Sequence, residues 1–246
     1  FPSITATEEF NTSIYSPIAA TWASGGNLNT ARDSAGNAGT KTAGLFMSGS
    51  VYPNVFKNET EEYNGTTWSE QNNVATARRT SGAGTQTAGI IVGGTNGTPG
   101  STGVQTITEE YDGTNWAGGG SLSTARTGIL ASGEQTTVYA AGGFNSSSAI
   151  IGIYEQYDGT SWTGSTAMNT DRMNAGSVGD TSSNIVFGGY TPPSFLYASS
   201  SEEWNGSSWT VGGSLNTARI SLASFGSQTN AVGAGGDLPG NSAATE

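Results

Sequence analysis

The feature that most limits what this chain can fold into is a phase-locked recurrence of Trp and Arg. Trp22, Trp68, Trp116, Trp162 and Trp209 are each followed ten residues later by Arg32, Arg78, Arg126, Arg172 and Arg219. Both series advance in steps of 46, 48, 46 and 47 residues. The changes in repeat length leave the ten-residue interval untouched, so Trp and Arg belong to one structural unit. A period of this size indicates stacked supersecondary units, none of which can bury its own apolar faces alone.

The third copy shows the unit most clearly. Residues 106–111 (Thr-Ile-Thr-Glu-Glu-Tyr) read as a half-polar strand. Asp112-Gly113 then supplies a hairpin turn with positive φ, and Asn115-Trp116 opens the next strand. Gly119 to Arg126 is a connection, 127–131 a strand of small and apolar residues, and 138–141 a strand ended by Gly142-Gly143. Asn64-Gly65, Asp158-Gly159 and Asn205-Gly206 take the turn position in other copies, and Gly93-Gly94, Gly188-Gly189 and Gly235-Gly236 the strand end. The first copy departs, with Ser48-Gly49 at the strand end and residues 11–20 in place of the tight turn. No segment carries a capped apolar stripe of helical period. Four short strands per repeat, five times over, predict an all-β, five-bladed propeller with four antiparallel strands per blade.

Composition is compatible with that architecture. Gly supplies 38 of 246 residues, and only 11% are charged. Ile, Leu, Val and Phe make up only about 15% of the chain, which with a net charge of −11 would suggest disorder, but 6 Trp, 9 Tyr and 8 Phe provide the burial that the small residues lack.

The Gly-Gly pair, the Tyr, the Trp and the small-residue run ending in Arg (Gly94, Tyr111, Trp116 and Ala125-Arg126 in one copy) resemble the kelch repeat. Low-charge units such as 109–116 followed by 121–126 also resemble kelch-like repeats in proteins of tailed bacteriophages of aquatic bacteria. That resemblance covers nearly the whole chain. It implies a virion component (a tail, fibre or capsid-surface module), located on the virion or extracellularly.

The expected repeats span about 4–48, 58–94, 106–143, 151–189 and 199–236, within one domain over 1–246. The chain begins with a third strand (4–10) and a fourth (21–24), and ends with a first (220–225) and a second (230–234). Together these halves complete one blade, giving twenty strands and a ring without exposed edges. Residues 237–246 form a tail whose Ala243 to Glu246 resembles the start of another third strand; five closed blades are the expectation, with the tail as a lead into a further domain and additional blades as the alternative. The opening Phe1-Pro2-Ser3 lacks a starting Met and reads as a processed chain or a piece of a longer one.

Absences narrow the chemistry. The chain has no His and no Cys, which removes thiol nucleophiles, His-assisted triads, haem ligation and Cys- or His-based zinc sites. The copper chemistry of some kelch-containing oxidases is excluded on the same ground. No ladder of acidic ligands at calcium spacing appears, so no metal and no cofactor is expected. A net charge of −11 with 8 Lys and Arg argues against nucleic acid as a partner. No apolar run is long enough to suggest membrane insertion. No acid–base or nucleophile constellation is present, so the chain is expected not to be an enzyme.

The five repeat Arg residues suit either an anion-binding ring or ion pairs at the blade seams with the recurring Glu pairs. Their presence in every copy favours the structural role. The repeat Trp residues are expected between blades. The turn resembles the Asp box of sialidase-like propellers, but Asn replaces Asp in two copies, as turn chemistry alone allows. Sequons such as Asn64-Gly65-Thr66 are expected by chance in so Asn- and Thr-rich a chain. The irregular links after Gly-Gly carry Tyr52, Phe56, Phe144, Tyr190, Phe195 and Tyr197. Loops on a rigid scaffold are where binding residues concentrate, so these six are the candidate binding residues. The expected partners are other virion proteins, or a glycan or protein of the host surface, within a homo-oligomeric assembly. The alternative is a secreted bacterial lectin-like, carbohydrate-binding propeller.

Overall fold

A computed structural model of the protein describes residues 8–11, 21–97, 102–238 and 240–241. All regular structure among them is β, in 26 strands. Four antiparallel four-stranded sheets follow one another along the chain, each ordered as in sequence. Sheet I holds Gly36–Thr40, Ala43–Val51, Val55–Tyr63 and Trp68–Gln71, and sheet II Arg79–Gly84, Gly89–Thr95, Thr108–Tyr111 and Trp116–Gly118. Sheet III holds Leu130–Ser132, Tyr139–Ala141, Tyr154–Tyr157 and Trp162–Ser165, and sheet IV Gly176–Gly179, Asn184–Phe187, Ser201–Trp204 and Trp209–Val211. Two hairpins flank this series. Glu8–Asn11 pairs with Thr21–Ser24, and Ala223–Ser227 with Asn230–Ala234. Among the described residues no ladder joins one hairpin to the other.

The core lies between sheets. One cluster joins Leu45 and Met47 of sheet I to Ile91 and Tyr111 of sheet II. A second joins Ile90 and Val92 to Val138 and Tyr157 of sheet III. A third joins Tyr139 and Tyr154 to Val186 and Trp204 of sheet IV, and a fourth joins Val178 and Phe187 to Leu222. Sheets II, III and IV therefore each bury one face against the preceding sheet and the other against the following one, as stacked repeats require. The architecture is a propeller-like stack of antiparallel sheets.

The first strands of the four sheets and Ala223–Ser227 all line one cavity of about 720 Å³. Its walls include small residues such as Ala38, Gly82, Ala131 and Ser177. Small residues are required because first strands of neighbouring sheets nearly touch there. A Cβ on Gly82 would lie 2.8 Å from the Asn37 amide nitrogen.

The Gly-Gly strand end has a specific cause. In each pair both residues have positive φ, for example 60° and 119° at Gly142 and Gly143. A Cβ on Gly142 would sit 2.2 Å from the carbonyl oxygen of Arg172, in the next repeat. In the divergent copy Ser48 keeps the same backbone, with φ 61°. Its hydroxyl donates 2.7 Å to the equivalent carbonyl, that of Arg78. Hydrogen bonding thus replaces the clearance that glycine provides elsewhere.

Two sequence expectations change. The last repeat's first strand begins at Ala223, not at 220, because Ile220 pairs with Asp237 in a loop. The expected strand 127–131 is broken: Arg126–Thr127 pairs with Phe144–Asn145, Gly128 turns at φ 63°, and Leu130–Ser132 joins sheet III. The strands beyond twenty are three loop ribbons, the other two being Tyr190–Thr191 with Leu196–Tyr197 and Asp237–Leu238 with Gly240–Asn241. Those links are extended enough to pair with themselves, which the irregular sequence did not signal. The expectations for 1–7, 12–20 and 242–246 lie outside the described residues.

Candidate functional site

The repeat arginines are buried, and four of them are ion-paired. Arg32 pairs with Glu61, Arg78 with Glu109, Arg126 with Glu155 and Arg172 with Glu202, all within their own sheet unit. Each carboxylate also accepts amide hydrogens from the link before its Arg, such as Ala75 N at 2.7 Å for Glu109 and Asn169 N at 2.7 Å for Glu202. Four of the five guanidinia reach the strand-end carbonyl exposed by the positive φ, Arg32 through Nε to Ser48 O at 2.9 Å, while Arg126 Nη2 donates 3.2 Å to Ala140 O instead. Arg78 Nε donates 2.8 Å to Gly93 O, Arg172 Nη1 2.9 Å to Gly188 O, and Arg219 Nη1 3.1 Å to Gly235 O. Desolvation lowers the pKa of Arg78, Arg126 and Arg172, and the paired Glu opposes it. These side chains fasten the link between sheets; Arg78 Nη2, Arg126 Nε and Arg172 Nε have no acceptor among the described residues, but all three are buried and none of the repeat arginines lines either cavity.

The repeat Trp residues sit at the seams. Trp116 Nε1 donates to Thr60 Oγ1 and Asn72 O of sheet I, each at 3.0 Å. Trp162 Nε1 does the same to Thr108 Oγ1 of sheet II at 2.9 Å. Trp68 is half-buried and Trp209 buried, while the side chain of Trp22 lies outside the described residues. In the turns, backbone amides of residues two and three ahead hold the Asp112 and Asp158 carboxyls below the ordinary range. Asn64 and Asn205 accept the same amide pairs, which is turn chemistry rather than a ligand site.

A second cavity, of about 670 Å³, opens above the channel and shares Thr80, Ser81, Ile129 and Ala175 with it. Its rim is built from the two residues that follow each repeat Arg. The first of these is Asp33, Arg79, Thr127 or Met173, and the second Ser34, Thr80, Gly128, Asn174 or Ser221. The second position is left-handed in four of the five, with φ 53° at Ser34, 63° at Gly128, 51° at Asn174 and 52° at Ser221. Amides there bridge neighbouring repeats, as Asn174 N donates to Gly128 O and Ser221 N to Asn174 O. The scaffold is thus nearly symmetric, while the side chains it aims at the mouth are not.

The six candidate loop residues divide. Phe144 and Phe195 line this mouth cavity. Their rings lie 5.7 Å apart; Tyr190 packs edge-on to Phe195 at 5.6 Å and to Tyr197 at 5.1 Å. Four of the six, from the links of sheets III and IV, therefore form one aromatic cluster. Phe195 and Leu196 stay exposed at 46% and 54%. A hydrogen bond shared with Tyr190 and the nearby Asp237 pushes the Tyr197 hydroxyl up to about 12. Tyr52 and Phe56 lie on the link of sheet I, outside the cluster; Tyr52 is 70% exposed, and Phe56 lies under Arg79 with 5.9 Å between guanidinium carbon and ring centre.

Asp33, Arg79 and Asn174 were not singled out from the sequence. The signal was present: in a phase-locked repeat, the column after Arg reads Asp33, Arg79, Thr127, Met173 and Ile220. A column that varies inside an otherwise fixed frame marks the positions the scaffold does not need. Among the described residues no group of three or more acidic side chains is arranged to hold a metal ion.

No protein-family model matches the chain, and no curated protein matches it. Among solved structures, YjhT is similar over 98% of this chain and 87% of its own, with a TM-score of 0.79 at 12% sequence identity. At that identity the likeness concerns the backbone alone: this chain has a β-propeller-like fold.

Proposed function

We propose that the chain is a non-enzymatic recognition module, a five-bladed propeller that binds a glycan or protein through the loop face at one end of its channel. The observation that supports this most is the joining of Phe144, Tyr190, Phe195 and Tyr197 from two neighbouring links into one partly exposed cluster beside a cavity of about 670 Å³. Exposed aromatics beside an asymmetric cavity of mixed polar and apolar lining are what a recognition surface needs, and the repeat itself does not.

Ring closure is part of the same proposal. Register equivalence with Glu61, Glu109, Glu155 and Glu202 assigns Glu8 to Arg219, and pairs residues 8–10 with 231–233 in a fifth sheet. The lining of one cavity by five first strands supports it. In this reading the module stands in an extracellular assembly such as a virion tail, fibre or capsid surface, where a closed, Cys-free scaffold resists unfolding. A glycan array probed with the wild type and with Phe195→Ala tests the binding role. Glycan binding lost in the variant is expected; binding indifferent to Phe195 and Tyr197 overturns the loop assignment.

A further inference from the structure

Arg79 is the one arginine that the repeat does not use. Among the described residues it has no carboxylate within ion-pair distance, although the chain carries 19 acidic side chains against 8 basic ones. It is half-buried in the wall of the mouth cavity. Its Nε donates 2.8 Å to Ser50 Oγ and its Nη2 3.0 Å to Asn54 Oδ1, both neutral acceptors. These contacts and the Phe56 ring fix the guanidinium plane and leave Nη1 without an acceptor among the described residues. A fixed guanidinium with donors to spare is a receptor for an oxyanion.

The rest of the wall defines what carries that oxyanion. Asp33, the only acid lining the cavity, accepts 2.7 Å from the same Ser50 hydroxyl. It repels a bare anion but accepts from a hydroxyl held next to one. Thr127, Asn174 and Ser221 add further hydroxyl and amide groups, while Phe144 and Phe195 offer a face to ring C–H groups. We infer that the mouth cavity binds one acidic saccharide unit, its carboxylate or sulfate on Arg79 and its hydroxyls on Asp33 and Asn174. This rests on the loop-face reading above and names its ligand class.

Calorimetric titration of the protein with D-galacturonate, D-galactose 6-sulfate and D-galactose separates the sources. At least one acidic sugar is expected to bind at least about tenfold more tightly than galactose, the value of one charge-assisted contact. Arg79→Met is expected to remove that difference while leaving thermal unfolding cooperative. Should Arg79→Met fail to fold, Arg79→Lys, which keeps the charge but not the fork, is expected to weaken the acidic sugar alone. Equal affinity for galactose, no binding by any of the three sugars, or an acidic-sugar affinity unchanged by the variant that folds overturns the inference. Glycan-array binding that still depends on Phe195 in that event would leave the loop-face reading standing, and its loss there with an intact Arg79 effect would do the reverse.

Discussion

Tyr111 of sheet II donates a 2.9 Å hydrogen bond from its hydroxyl to Glu62 of sheet I. Tyr157 repeats the contact one sheet on, to Glu110. The pair explains why the repeat keeps two glutamates in sequence. At these two seams the first glutamate of the pair holds the buried Arg, and the second reaches across to the next sheet's Tyr. Where the second glutamate becomes Gln156, the facing Tyr becomes Trp204, and both donate to Thr181 O instead.

Alkaline pH should loosen these seams. Burial, with the facing Glu110, raises Tyr157 to about 12, and burial raises Tyr154 to about 12. A folded-state value above the unfolded one of about 10 means that the contribution is complete below pH 10 and is lost as pH climbs toward 12. Urea denaturation at several pH values should give a flat stability from pH 8 to 10 and a fall above it. Tyr157→Phe should reduce that fall; an identical alkaline fall in the variant would contradict the assignment.

Breaking one buried ion pair should cost far more than a surface pair does. Glu109→Gln leaves the buried Arg78 guanidinium without its anion, and about 3–5 kcal/mol of stability should go with it. Adding Arg78→Met should recover part of the loss, because two buried charges are then gone rather than one. Denaturant midpoints of the two single variants and the double variant check this.

Trp116 is half-buried, with its ring 5.1 Å from Tyr111 and its indole nitrogen bonded across the seam. Trp116→Ala should destabilise by about 3–5 kcal/mol. A loss under about 1 kcal/mol would mean that the seam closes without it.

The strand-end glycines provide a contrast within one sheet. Gly142→Ala puts a Cβ against the Arg172 carbonyl at positive φ, and a loss of about 2–4 kcal/mol is expected. Gly164→Ala, on the outer strand with nothing within 4 Å, should be neutral or slightly stabilising. Gly142→Ser should lose less than Gly142→Ala, because Ser48 shows how a hydroxyl can bond that carbonyl.

The sequence carried the scaffold because the scaffold repeats. The Asp112-Gly113 turn and the Gly-Gly strand end, in four copies each, and the Arg interval, in five, are fixed by backbone geometry that leaves few residue choices, so the copies read as one signal. The mouth was less legible for the same reason. Asp33, Arg79 and Asn174 each occur once, and their meeting depends on five distant segments coming round to one place. Gln86, Gln135 and Gln228 were also missed; each reaches back to two carbonyls of the preceding sheet, as Gln135 does to Gly89 O and Tyr111 O at 2.8 Å. Their Thr/Ser neighbours made these segments look like ordinary polar turns.

The account depends on the chain coming round to meet itself, since only a closed ring gathers those five segments about one mouth. Repeat register sets Glu9 opposite Val232, and the absence of native Cys leaves no competing thiol. Glu9→Cys with Val232→Cys, oxidised gently at low protein concentration, therefore reads closure directly. The account predicts an intramolecular disulfide in nearly all molecules, with a raised unfolding temperature. Free thiols, or disulfides only between molecules, would contradict it.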